Sequence, residues 1–396
     1  MYTRLPSPVS DRCRAILRPM PMMPNTRSAE MDVPDPKTVN SILVIQTKFI
    51  GDIILTSVLL RHLRAHYPAK ITVLCAAGLD KFVVNHDLAD AAIPISLKRM
   101  RGSPGARLAE MVKVIRTLRR HAFDMCIDIT DSKTSRIMVH MLNIPARVGF
   151  FPPEKALRPW ERLPVNIHAA PQGPGGEHYL HRYLSPLTAL GIEIVDPVPR
   201  IKPLPGAAAT AAELLAAEKL SRGAFVAMHA GASFEGRCWQ PERFAATADA
   251  IFQRTGLRTL VVGGPDEVGI AERVLSAAKS PVASIVGKAS LETLAAVLSH
   301  ASAFIGNESG PMHMAAAVGT PVLGLFGLTA PKVWGPLGAN GIAVQPSMPC
   351  PCINPGVCKP NTPGRVYCVQ RLEVDVVVEA AFGLLGVIGV GEQRTP

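Results

Sequence analysis

Short apolar runs alternate with amphipathic stretches along most of the chain, and polar turns with glycine join them. Ser41 to Gln46 (Ser-Ile-Leu-Val-Ile-Gln) is a continuous apolar run of strand length, and a helical pattern follows it to about His66. Residues 71–75, 125–129 and 146–150 read as further strands, and residues 107–121 as a helix. Stretches rich in Pro and Gly at 171–176 and 197–206 break the alternation. It restarts at 224–229, 259–264 and 283–286, and residues 303–305 and 322–326 then flank an Ala-rich helix over 312–318. Strands that are apolar throughout suit parallel sheets covered on both faces. Two series of alternating strands and helices predict an α/β chain of two doubly wound, Rossmann-like domains facing a central cleft. The break at 197–206 places the boundary, giving domains of residues 41–205 and 206–385. Residues 1–40 are expected to be a disordered extension, with Met31 as a candidate true start.

Composition agrees with this division. A chain of 396 residues exceeds what one core usually supports, and 48% hydrophobic with only 5% aromatic residues suits strand and helix alternation. No apolar run approaches the roughly 20 residues that span a bilayer. The first forty residues hold several Arg and Pro but no apolar segment of the secretory kind. Charge is uneven: residues 1–205 carry 28 Lys and Arg against 17 Asp and Glu, and the remainder carries 14 of each, so the whole +11 excess lies in the first half. Its densest part is Lys98, Arg99, Arg101, Arg107, Lys113, Arg116, Arg119 and Arg120. Each alone reads equally as a solvated helix face; together they point to an anionic partner such as a phosphorylated lipid or membrane surface. Nucleic acid is not expected, since no binding module or interleaved aromatic residues accompany the charge.

Three strand-to-helix turns carry candidate chemistry. In Gly306-Asn307-Glu308-Ser309-Gly310-Pro311-Met312-His313, Ser309, Gly310 and Pro311 fall at a helix start, where free N–H groups and the dipole favour an anion; an ordinary Ser N-cap is the alternative. At Gly51-Asp52 a lone carboxylate stands in a first helical turn, either as a reacting base or simply placed for the dipole, and Gly51 permits close backbone approach. After the strand at 224–229 come His229-Ala230-Gly231 and then Arg237-Cys238-Trp239-Gln240-Pro241, a small-residue turn followed by a cation before a helix start. A Gly-x-Gly-x-x-Gly after the first strand, a Walker loop and a metal-holding Asp-x-Asp are all missing. Dinucleotide redox chemistry therefore loses its support, and no divalent metal or other cofactor is expected.

The segment Asn307-Glu308-Ser309-Gly310-Pro311-Met312-His313, with Ala315-Ala316-Ala317-x-Gly319-Thr320-Pro321 after it, resembles the signature of glycosyltransferase family nine, the bacterial lipopolysaccharide core heptosyltransferases, over roughly residues 41–380. The resemblance implies a GT-B fold and inverting, metal-independent transfer of heptose from ADP-heptose to the inner core. Asp52 would deprotonate the acceptor hydroxyl. Arg237, two places before Trp239, would hold the donor phosphates with Ser309, Gly310 and Pro311, while His313 and Arg237 would offset charge on the leaving group. Glu308 stands where the family usually has Asp, and would bind donor hydroxyls or orient its neighbours. Lys48, Gly51, Gly231 and Thr329 would support the site, and Ala330 replaces an acid of the family loop. The implied partner is a phosphorylated lipid A–core acceptor, met by the basic half of a cytoplasmic protein at the inner membrane. Gln46-Thr47-Lys48 and Asp128-x-Thr130-Asp131 resemble the transferases that add a third heptose.

Other readings stay open: a different enzyme on this fold acting on a nucleotide sugar, such as an epimerase, or a non-catalytic sugar-nucleotide-binding relative. Cys350, Cys352, Cys358 and Cys368 cluster in a Pro-rich segment. Their spacing lacks the paired Cys-x-x-Cys knuckles of a strong zinc site, so reduced thiols are the leading reading, with a structural metal or disulfides as the lesser ones.

Overall fold

The computed structural model describes residues 32–150, 165–170, 178–327, 329–338, 340–347 and 368–387. The extension up to Met31, Leu328, and Cys350, Cys352 and Cys358 lie outside these. Strands β1 (Ser41–Gln46), β2 (Lys70–Ala76), β3 (Ala91–Ile95), β4 (Met125–Asp128), β5 (Ala146–Phe150) and β6 (Ile167–Ala169) form one parallel sheet in the order β3-β2-β1-β4-β5-β6. Strands β7 (Phe225–His229), β8 (Arg258–Val261), β9 (Val282–Ser284), β10 (Ala303–Asn307), β11 (Val322–Leu325) and β12 (Gly341–Val344) form a second, in the order β12-β11-β10-β7-β8-β9. Both orders reverse direction beside their first strand. Ligands bind at such switch points, outside the carboxyl ends of the strands. The two sheets make the GT-B arrangement that the sequence led us to expect.

Helices α1 (Ile50–His66), α2 (Asp80–Asn85), α3 (Leu97–Met100), α4 (Pro104–Leu118), α5 (Lys133–Leu142) and α6 (Leu180–Ala189) accompany the first sheet. Helices α7 (Pro205–Ala217), α8 (Pro241–Thr255), α9 (Val268–Ala277), α10 (Leu291–Leu298), α11 (Gly310–Ala317), α12 (Pro331–Trp334) and α13 (Val374–Leu384) accompany the second. The basic helix starts three residues before its expected position because Ser103 caps it, its Oγ accepting from Ala106 N at 3.3 Å, with Pro104 at the first position. The signature helix likewise begins at Gly310 rather than 312. Strands β3, β6 and β12 were not foreseen. They sit at or near sheet edges, and β3 carries Pro94, which an edge strand tolerates.

Helix α1 explains how the halves meet. It is buried almost all round from Gly51 to Leu60, because it packs against α6 of its own half and against α11 of the other. One apolar core therefore runs through both halves, joining Ile53, Leu55 and Leu59 to Leu294, Leu298, Met312 and Ala315. The first turns of α1 and α11 touch. A methyl group at Gly310 would lie 2.3 Å from Ile50 Cγ2, and one at Gly51 would lie 3.0 Å from His313 Cδ2 and 3.5 Å from Gly310 Cα.

Replacing Gly310 by Ala should lower stability by about 1–3 kcal/mol through overpacking, read as a lower denaturant midpoint. Adding Ile50→Ala should recover part of the loss. An unchanged midpoint in the single variant would contradict so close an approach.

Candidate active site

The contact between α1 and α11 forms the floor of a cavity of about 770 Å³. Lys48, Gly51 and Asp52 line it from the first half, and Arg237, Glu308, Ser309, Gly310, Pro311 and His313 from the second. Two of the expected supporting residues, Gly231 and Thr329, are not in its lining.

Asp52 occupies the first turn of α1 with 9% of its surface exposed. Its Oδ2 accepts the N–H of Phe49 at 3.1 Å, the bond of an acidic residue closing a helix start, and its Oδ1 accepts the hydroxyl of Tyr183 on α6. Lys48 Nζ lies 3.4 Å from the Tyr179 hydroxyl and 3.5 Å from that of Tyr183. The loop bearing Lys48 is braced at the switch point of the first sheet. Thr47 N donates to Thr130 Oγ1 at 2.8 Å, and Asp128, its carboxyl pushed up to about 6 chiefly by burial, accepts from Thr130 N and Asp131 N.

On the other wall, β7 and β10 end side by side at the second switch point, with Gly306 in register with His229. Asn307 is fully buried and fixes the turn after β7: its Oδ1 accepts from Trp239 N at 3.0 Å and its Nδ2 donates to Ala230 O at 2.7 Å. Trp239 is itself buried, donating Nε1–H to Leu372 O at 2.9 Å. Register is thus set for Arg237, whose Nε lies 3.5 Å from Glu308 Oε2 and is buried without a hydrogen-bond partner among the described residues. Burial raises the Glu308 carboxyl above its ordinary range, against the lowering effects of Arg237 and of the Thr329 hydroxyl, which donates to Oε2. Thr329 thus acts from behind Glu308.

Ser309 stands at the N-cap of α11, yet its hydroxyl does not cap the helix. It meets His229 Nδ1 at 3.0 Å, while His229 Nε2 lies 3.1 Å from Glu267. A carboxylate only accepts, so Nε2 carries a proton toward Glu267, and Nδ1 shares a hydrogen bond with the Ser309 hydroxyl. The opening N–H groups of α11 are left without a side-chain partner from the cap. Gly231 makes room for this relay, since a methyl there would fall 1.8 Å from Glu267 Oε1.

His313 was expected to help offset leaving-group charge. Burial, with His178 and Arg237 nearby, pushes its pKa down to about 3, which favours the neutral ring. Among the described residues no cluster of His, Cys, Asp or Glu is placed to hold a metal ion. Sequence reasoning missed Tyr183, Tyr179, Trp334 and Glu267. Tyr179 and Tyr183 are one helical turn apart, and Glu267 follows a glycine pair at a strand end, the only local signals that could have flagged them.

The family model for glycosyltransferase family 9 (heptosyltransferase) matches residues 111–354. An Escherichia coli protein named lipopolysaccharide heptosyltransferase 3 is 28% identical over 299 residues, covering 74% of this chain and 86% of that one. A glycosyl transferase family 9 structure from Veillonella parvula superposes with a TM-score of 0.72 at 22% identity, over 87% of this chain and 97% of its own. The E. coli heptosyltransferase WaaC with ADP gives 0.65 at 20% identity, over 87% and 99%.

The His313 ring should show no titration by NMR between about pH 5 and about pH 8, where an ordinary histidine titrates. Its folded pKa lies below the unfolded value of 6.5, so its effect is a loss of stability as pH falls from there toward 3. A midpoint near 6.5 would contradict its burial as a neutral group.

Proposed function

Because the chain belongs to glycosyltransferase family 9, the heptosyltransferases, we propose that it transfers a heptose from ADP-heptose to the inner core of lipopolysaccharide. The observation that carries this reading is that the first turns of α1 and α11 open onto one cavity, the former bearing a carboxylate and the latter unpaired N–H groups. Residues 41–205 would hold the acceptor and residues 206–385 the donor. The donor diphosphate lies at Ser309, Gly310 and Pro311, where the dipole and N–H groups of α11 favour it, and Arg237, oriented by its ion pair with Glu308, turns the donors of its guanidinium fork to the phosphate oxygens. Asp52 takes the proton of the acceptor hydroxyl as that oxygen attacks the anomeric carbon from the face opposite ADP, and the configuration inverts. Neutral His313 donates a hydrogen bond to the departing diphosphate. No metal is needed, since Arg237 and the helix N-terminus supply the charge stabilisation.

The relative named lipopolysaccharide heptosyltransferase 3 supports addition of the third heptose as the reaction. The acceptor is anionic, and the basic cluster suits it. Lys98, Arg99, Arg101, Arg107, Lys113, Arg116, Arg119 and Arg120 are all exposed, with Leu108 projecting among them at 60% exposure. Such a face fits the phosphorylated core and the inner-membrane surface that carries it, from the cytoplasmic side. No helix among the described residues is long and apolar enough to cross a membrane.

Purified protein should transfer heptose from ADP-heptose to lipopolysaccharide lacking the third heptose, with or without a chelator. Asp52→Asn should reduce the rate by about 10²–10⁴ while ADP still binds. Arg237→Ala should weaken ADP binding by about 1.5–3 kcal/mol, as for a lost charged hydrogen bond. Transfer by Asp52→Asn at the wild-type rate would remove the base assignment, and dependence on added metal would remove the metal-free mechanism.

A further inference from the structure

The Asp52 carboxylate has two anchors of different kinds. The bond from Phe49 N to Oδ2 is local, spanning three residues at a helix start. The bond from the Tyr183 hydroxyl to Oδ1 comes from 131 residues away, on another helix. Tyr183 is fully buried, so water does not compete for its hydroxyl. A phenol has one hydrogen. Burial, together with the adjacent Asp52 charge, pushes the Tyr183 pKa well above its ordinary value, so that hydrogen stays in place. Lys48, 3.5 Å from the same oxygen, has only donors to offer it. The three groups thus form a chain, Lys48 to Tyr183 to Asp52, in which each hydrogen bond polarises the next in the same sense.

The start of α6 is in turn held from the opposite half of the molecule. Tyr179, one turn before Tyr183, stacks on Trp334 of α12 with ring centres 4.2 Å apart and planes at 18°. Tyr179 N donates to Val333 O at 2.8 Å, and His178 Nε2 meets Gly335 O at 3.0 Å. Helix α12 follows directly on the loop whose Thr329 holds Glu308. A seat built on the donor half therefore aims a tyrosine at the carboxylate of the acceptor half.

We propose that Tyr183 is the positioning residue of Asp52: by occupying Oδ1 it fixes the direction in which the carboxylate presents its remaining lone pairs to the acceptor hydroxyl. The inference rests on the reading of Asp52 as the base. Its physical content is that a carboxylate on a single local anchor can swing about χ2, and a displacement of about 1 Å at a reacting group can cost on the order of a hundredfold in rate. Seating of α6 on α12 then makes the base ready only where both halves are in place.

The test is a double-mutant cycle between positions 52 and 183, measuring kcat and the donor KM for transfer. Tyr183→Phe should lower kcat by between about tenfold and about a hundredfold, with the donor KM changed by less than about twofold. In the Asp52→Asn background the same substitution should cost nothing further, because it acts through the group already removed. If Tyr183→Phe fails to fold, Tyr179→Leu, which loosens the seat of α6 without touching Asp52, enters the same cycle with the same expectation. A kcat within about twofold of wild type, or a full multiplicative loss in the Asp52→Asn background, overturns the inference. If Asp52→Asn itself transfers like wild type, the base assignment falls first. If it collapses while Tyr183→Phe does not, only the positioning role is lost.

Discussion

Everything at the site depends on two helices meeting end to end. The first turns of α1 and α11 approach so closely that a side chain at Gly310 would collide with Ile50, and one at Gly51 would press on His313. Each helix belongs to a different sheet and begins at or beside the switch point of that sheet. Their contact therefore brings together two switch points that would otherwise lie in separate clefts, placing the carboxylate of one against the first turn of the other. The near-complete burial of α1 follows from this, since a helix wedged between two halves has no solvent face along most of its length.

The same burial decides what the polar groups can do. His313, pressed under Gly51, has its pKa lowered by burial, which favours the neutral ring. Glu308, lengthened by one methylene relative to the Asp usual in this family, spans between Arg237 and Thr329 and is pushed toward its neutral form by desolvation. Ser309 spends its hydroxyl on His229 in place of capping its own helix, which leaves the backbone donors of α11 open to an anion. None of these three outcomes follows from residue type alone.

The parts legible in the sequence are those whose physics is local. Strands β1 and β5 were bounded to the residue because each is a short, mainly apolar run that buries all but one of its residues. The short strand β6 and the edge strands β3 and β12 escaped, since they have fewer buried positions to show. Asp52, Ser309 and Arg237 could be singled out because each lies in a strand-to-helix turn of recognisable composition. Tyr183 and Glu267 could not. Each reaches the site from a segment distant in sequence, and in a helix such as α6 a tyrosine facing Asp52 has the same spacing as one filling the core. Gly231 is intermediate: the sequence showed that a small residue was wanted, and only the packing shows that a carboxylate is what it makes room for.

The proposed site of a diphosphate holds more acids than bases: Asp52, Glu267, Glu292 and Glu308 line the cavity against Lys48, Lys81 and Arg237. What matters is where each charge is directed. Glu267 is held by His229 and by the N–H of Gly264, Glu308 by Thr329 and Arg237, Asp52 by Tyr183 and Phe49, and Glu292 by Asn85. Every carboxylate is thus committed to at least one protein partner. The backbone donors that open α11 are left without a side-chain cap, and the positive ends of α1 and α11 add to them at short range. The paired acids also fix Arg237 and, through His229, Ser309, so the field in the cavity is set by the orientation of its groups and not by a simple sum of charges.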